Sequence, residues 1–152
     1  MLGTPTFAVE TNFLLERAHN FAGTEWEALS AKNGVVTSTV LAELDFLCTG
    51  EDAYAKDAAQ RVCKAHQGWG ISPVHLNDNQ AVEAERIAEQ MVEFGAIPAE
   101  ATAMIAALII AEAAVLGCEY ILVDRHFIIE ADGNLIDRAL AESGFGPIEL
   151  RY

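Results

Sequence analysis

The sequence predicts an α/β fold in three layers, with a central, mostly parallel sheet of about five strands flanked by about seven helices. Two observations carry this. Short apolar runs rich in β-branched residues alternate with segments of helical periodicity, the pattern left by strand–helix–strand units. The run "EYILV" (119–123) is apolar without alternation, as a parallel strand covered on both faces should be. No repeat, low-complexity tract or Pro/Gly-rich linker interrupts the 152 residues. Residues 1–152 therefore read as one domain, large enough to bury most of an ordinary core.

The elements follow in order. "TFAV" (6–9) reads as the first strand, and a helix runs from Thr11 to about Asn20. "GTEWEALSAKNG" predicts a second, short helix closed by Gly34, and "VVTS" (35–38) the second strand. Ser38 or Thr39 then caps a helix in which Leu41, Leu44 and Leu47 recur at helical spacing. "EDAYAKDAAQRVCKAH" places acids early and bases late, as the helix dipole favours. "WGISPVHL" holds a third strand, and "NDNQAVEAERIAEQMVEFG" a helix opened by Asn and Asp and ended at Gly95. "IPAEATAMIAALIIAEAAVLG" sets Pro98 near a helix start and Gly117 at its end. "EYILV" is the fourth strand, "DGNLIDRALAESGFG" a turn and the last helix, and "IELRY" an edge strand.

Composition narrows the function. With 52% hydrophobic and 21% charged residues the chain is globular, not disordered. The apolar stretch 101–117 is short for a bilayer span and carries Glu112, so it reads as a buried helix and not a membrane anchor. No basic segment precedes an apolar run at the start, and Cys48, Cys63 and Cys118 are odd in number without CxxC spacing. A reducing cytoplasm with thiols is expected, not a disulfide framework or a zinc site. The formal charge of −14 repels phosphate overall, so any nucleic-acid chemistry must use a local basic patch, metal ions or a basic partner.

Ligands of open parallel sheets sit beyond the carboxyl ends of the strands. Glu10 follows the first strand and Asp124 the fourth, while Glu43 lies one turn into the helix after the second. Three carboxylates from distant segments can thus meet at one crevice. Such a cluster repels itself unless a hard cation such as Mg²⁺ or Mn²⁺ shares its oxygens. The plain alternatives are a helix-start acid for Glu10, a solvated helix position for Glu43 and a turn cap for Asp124.

Three segments, "VETNFLL", "VLAELDFL" and "ILVDRHF", resemble in order and separation the PIN-domain nucleases, which include the ribonuclease toxins of bacterial toxin–antitoxin pairs. The resemblance runs from about Phe7 to Phe127 and implies a PIN-like fold. It also implies a Mg²⁺- or Mn²⁺-dependent endoribonuclease that hydrolyses RNA phosphodiester bonds. Glu10, Glu43 and Asp124 would be its catalytic and metal-binding acids, with Thr11 and Asn12 as their supporting neighbours. Toxins of this kind pair as homodimers and are silenced by a small antitoxin; a basic one would suit this acidic chain.

The chain departs from the family pattern in three places. Glu10 replaces the family's first Asp, Thr102 its third Asp, and Leu122 a frequent strand-end Thr. Glu10 is longer by one methylene, about 1–1.5 Å, and Mg²⁺ demands near-ideal octahedral geometry. Glu100, two residues from Thr102, is the other candidate donor, although it also suits the first turn of a helix. These departures favour weaker metal binding and keep a rival open: a catalytically inactive PIN-like scaffold that binds protein or RNA. Lys56, Arg61 and Lys64, on one helix, are the candidate RNA contacts, unless that face is only solvated and paired with Asp57.

Overall fold

The computed structural model describes residues 6–20, 34–65, 71–97, 103–124 and 131–152. Its five strands are three residues each: β1 (Phe7–Val9), β2 (Gly34–Val36), β3 (Ile71–Pro73), β4 (Tyr120–Leu122) and β5 (Glu149–Arg151). The six helices among the described residues are α1 (Thr11–Asn20), α2 (Ser38–Cys48), α3 (Ala53–Ala65), α4 (Asp78–Glu93), α5 (Ala103–Val115) and α6 (Gly133–Glu142). The expected helix in residues 23–34 lies outside the described residues, except for Gly34, which opens β2 instead of closing a helix.

All five strands are parallel, in the order β3-β2-β1-β4-β5. The central place of β1 explains its composition: Phe7, Ala8 and Val9 are fully buried, because helices cover both faces of a parallel sheet. Phe7 pairs in register with Gly34 on one side and Tyr120 on the other. Its ring stacks on Tyr120 at 5.2 Å and lies across Gly34, where a Cβ would stand 2.8 Å from the ring's Cε2. Glycine at 34 is thus the space that lets an aromatic ring lie across the sheet.

The helices begin and end where local chemistry dictates. Asn77 caps α4 reciprocally with Gln80: its side chain accepts the Gln80 N–H at 2.8 Å and its own N–H donates to the Gln80 side chain at 3.0 Å. Asp132 caps α6, and Asp52 accepts two N–H groups at the start of α3. Gly95 and Gly117, at φ 73° and 85°, close α4 and α5 in the left-handed conformation that glycine adopts without penalty. Helix α5 is buried on nearly every side, which its unbroken apolar sequence requires. It packs chiefly against α4, and α3 packs against both α1 and α2.

Helix α2 has Thr37 as its N-cap, ahead of the expected Ser38 or Thr39, and Ser38 is already its first helical residue. Yet the Thr37 side chain caps nothing in its own helix. Its hydroxyl donates instead to Glu112 on α5, which also accepts the Thr39 N–H at 3.2 Å and the Thr39 hydroxyl at 2.9 Å. A carboxylate 73 residues away in sequence from Thr39 thus does the capping, placed where the helix dipole favours negative charge.

Candidate functional site

The rim at the carboxyl ends of β1 and β4 is where the acids gather. Glu10 follows β1 directly, and its N–H donates to the Leu122 carbonyl at 2.8 Å, extending the ladder by one residue. Beyond β4, the Val123 N–H donates to the Arg151 carbonyl at 2.7 Å, which fixes the chain just before Asp124. Residue 10 is therefore both the end of a central strand and the cap of a helix. Its carboxylate accepts the Asn12 N–H at 2.8 Å on Oε1 and the Phe13 N–H at 3.2 Å on Oε2.

Glu43 reaches the same place from α2. Its Oε1 accepts the Thr11 hydroxyl at 2.6 Å; Thr11 is buried and Glu43 half-buried. The Thr-Asn pair after Glu10 thus has a division of labour. The Thr11 side chain holds Glu43, and the Asn12 backbone holds Glu10, while the Asn12 side chain is exposed.

Electrostatics joins the three acids. Glu10 is 5% exposed, and burial above all lifts its carboxyl to a pKa of about 7, with the negative charges of Asp124 and then Glu43 adding to the rise. The two backbone N–H groups pull the other way without prevailing. Asp124 and Glu43 are thus each an electrostatic neighbour of Glu10 at one rim.

Donor chemistry and spacing give different answers for a metal. An all-carboxylate set suits Mg²⁺ or Mn²⁺, and a cation would relieve the repulsion that adds to the burial-driven rise of Glu10. Yet both Glu10 oxygens are engaged by backbone, and among the described residues no three His, Cys, Asp or Glu side chains are arranged to hold an ion. The acids fit a divalent cation by kind of atom and would have to draw closer to share one. Glu100 and Thr102 lie outside the described residues.

The candidate RNA-contacting residues lie on α3. Lys56 is exposed; Arg61 is exposed and paired with Asp57 at 3.0 Å; the Lys64 side chain is outside what is described. Glu112 is the site-supporting acid that sequence reasoning passed over, having counted only as a charge spoiling a membrane span. Its signal was there: one carboxylate inside the otherwise apolar "AMIAALIIAEAAV" must find buried donors.

Solved structures match this arrangement of elements over nearly the whole chain. VapBC2 from Rickettsia felis, bound to a DNA fragment from its promoter, superposes with a TM-score of 0.62 at 13% identity, covering 95% of this chain and 98% of that one. The fold is PIN-like. DNA-bound VapBC from Salmonella typhimurium gives 0.59 at 14% identity, covering 96% and 98%. No protein-family profile and no characterised protein matches the chain by sequence. The PIN-like fold accounts for the sheet order and for the rim on which the acids sit. Among the described residues no helix is long and apolar enough to cross a membrane.

Proposed function

We propose that the chain is a toxin-type PIN-domain endoribonuclease that hydrolyses RNA phosphodiester bonds with Mg²⁺ or Mn²⁺. One observation carries this reading: Glu43 and Asp124 converge electrostatically on buried Glu10 at the strand ends of a PIN-like fold. Glu10, Glu43 and Asp124 would hold the ion, with Glu100 or Thr102 as further donors. When bound, such an ion acidifies a water and neutralises charge developing on the phosphate. The chain's own residues position the acids: the Asn12 and Phe13 N–H groups aim Glu10, and Thr11 fixes Glu43. No Ser, Cys or His adjoins these acids in sequence with a base beside it, so direct attack by water is the route, without a covalent intermediate.

The partners follow from charge and fold. The structural neighbours are VapBC complexes, and a small basic antitoxin would complement a net charge of −14. A homodimer in the cytoplasm is the working state in this reading. RNA would approach through Lys56, Arg61 and Lys64.

A second reading, an inactive scaffold that binds protein or RNA, is favoured by the capping role of both Glu10 oxygens. Melting temperature against Mn²⁺ separates the two, because an ion that binds only the folded state stabilises it. The nuclease reading expects a rise that Glu43→Gln abolishes and Thr102→Asp enlarges, together with metal-dependent RNA cleavage. A flat melting temperature at millimolar Mn²⁺ with no cleavage establishes the scaffold reading instead.

A further inference from the structure

Away from the acidic rim, α2 and α3 form a tight hairpin. The Thr49 and Gly50 N–H groups fold back onto the Phe46 and Leu47 carbonyls, and Asp52 caps α3 immediately afterwards. This brings the last residue of α2, Cys48, against Cys63 in α3, with the two sulfurs 3.6 Å apart and hydrogen-bonded. Cys63 is exposed and Cys48 half-buried, whereas Cys118 is buried elsewhere. Cys63 also lines a groove of about 500 Å³ together with Val36, Leu41, Ala42, Pro73 and His75.

We propose that Cys48 and Cys63 are a modification site, a dithiol that hydroperoxides oxidise to a disulfide clamping α2 to α3. Two facts set the pair apart from thiols that merely lie near each other. The sulfurs are already in contact at 3.6 Å, and bonding them at about 2 Å closes a gap of roughly 1.5 Å. Solvent also reaches the pair through Cys63, so a small oxidant has access. Burial, and after it the hydrogen bond and charge of Cys48, push the Cys63 thiol up to about 11. Near neutrality Cys63 therefore keeps its proton, and the reduced pair is joined by a hydrogen bond instead of being split by like charge.

The chemistry balances. The reaction begins in the small fraction of molecules in which one of the two thiols has released its proton to water: that thiolate attacks a peroxide oxygen, breaking the O–O bond and becoming a sulfenic acid as hydroxide leaves and takes up a proton. The second sulfur then attacks the sulfenic sulfur, the S–S bond forms, and the sulfenic oxygen departs as water. With hydrogen peroxide the sum is two thiols and one peroxide giving one disulfide and two waters. The clamp ties the end of the helix that carries Glu43 to the helix that carries Lys56 and Arg61.

The test uses the intact protein and hydrogen peroxide, followed by alkylation and peptide mass mapping without reduction. The expected product is one peptide pair joined through Cys48 and Cys63, two hydrogens lighter than the sum, reversed by dithiothreitol and missing from both Cys48→Ser and Cys63→Ser. The oxidised monomer should also melt several degrees higher than the reduced one. Chains linked to one another, a lone sulfinic acid on Cys63 beside an alkylated Cys48, or two thiols left unoxidised would each overturn the proposal.

Discussion

The Thr11 hydroxyl donates to Glu43 Oε1 at 2.6 Å, joining the start of α1 to the second turn of α2 across 32 residues of sequence. The donor is buried, the acceptor half-buried, and the bond holds the Glu43 carboxylate at the rim near Glu10. Thr11→Val keeps the shape and removes the donor. It should cost about 1.5–3 kcal/mol by urea denaturation, the range of hydrogen bonds to charged groups, while Thr11→Ser should retain most of the stability. A double-mutant cycle with Glu43→Gln should show coupling between the two positions; strict additivity would mean that the bond has no energetic weight.

Glu10 makes stability depend on pH with an unusual sign. Its folded-state pKa of about 7 stands above the ordinary 4.5, so the folded protein binds the proton more tightly than the unfolded chain. The stabilisation is complete below about 4.5 and is lost as pH rises through about 7. At about 1.4 kcal/mol for each pH unit in that window, the loss is on the order of 3 kcal/mol. Denaturation across the window should show this slope in the wild type and a flatter one in Glu10→Gln. The slope is the quantity to compare, because the Gln amide cannot accept the Phe13 N–H and so adds an offset in stability that does not vary with pH.

Glu112 offers a sharper contrast. Glu112→Ala would strip partners from the Thr37 hydroxyl and the Thr39 N–H together, at a cost of about 3 kcal/mol. Glu112→Gln preserves an acceptor for both, and the Thr39 hydroxyl can turn to accept from the amide, so about 1 kcal/mol is expected. Equal losses in the two variants, read from chemical denaturation, would contradict this account.

At Gly34 the constraint is steric. Gly34→Ala drives a methyl into the Phe7 ring and should cost about 1–3 kcal/mol, as overpacking does. Adding Phe7→Leu to that variant should recover part of the loss, whereas Phe7→Leu alone should destabilise. Thermal melts of the three variants test both statements.

The element order was legible in the sequence because each segment announces itself locally, through apolar runs, Asn77 and Asp132 at helix starts, and Gly95 and Gly117 at helix ends. The places of Glu10 and Asp124 at the rim were legible too, because each follows a parallel strand, whereas Glu43 had to be placed from its position in the helix after β2. What stayed hidden depends on pairs far apart in sequence. Nothing near Thr37 indicates that its hydroxyl will serve Glu112, and no spacing rule joins Cys48 to Cys63 across a helical hairpin. Gly34 looked like a helix terminator because glycine often is one; only the neighbouring Phe7 ring shows why a strand needs it there.

Both borders of the sheet resist extension. On one side β3 ends in Pro73, which has no amide hydrogen to offer. On the other, β5 is only three residues long and carries the ion pair of Glu149 with Arg151 at 2.8 Å, the guanidinium lying 3.9 Å above the Tyr120 ring. Charged, short margins discourage strand-to-strand annealing between molecules. Among the described residues, the helical surfaces are therefore better suited to assembly than the margins of the sheet, and continuous intermolecular sheets are disfavoured.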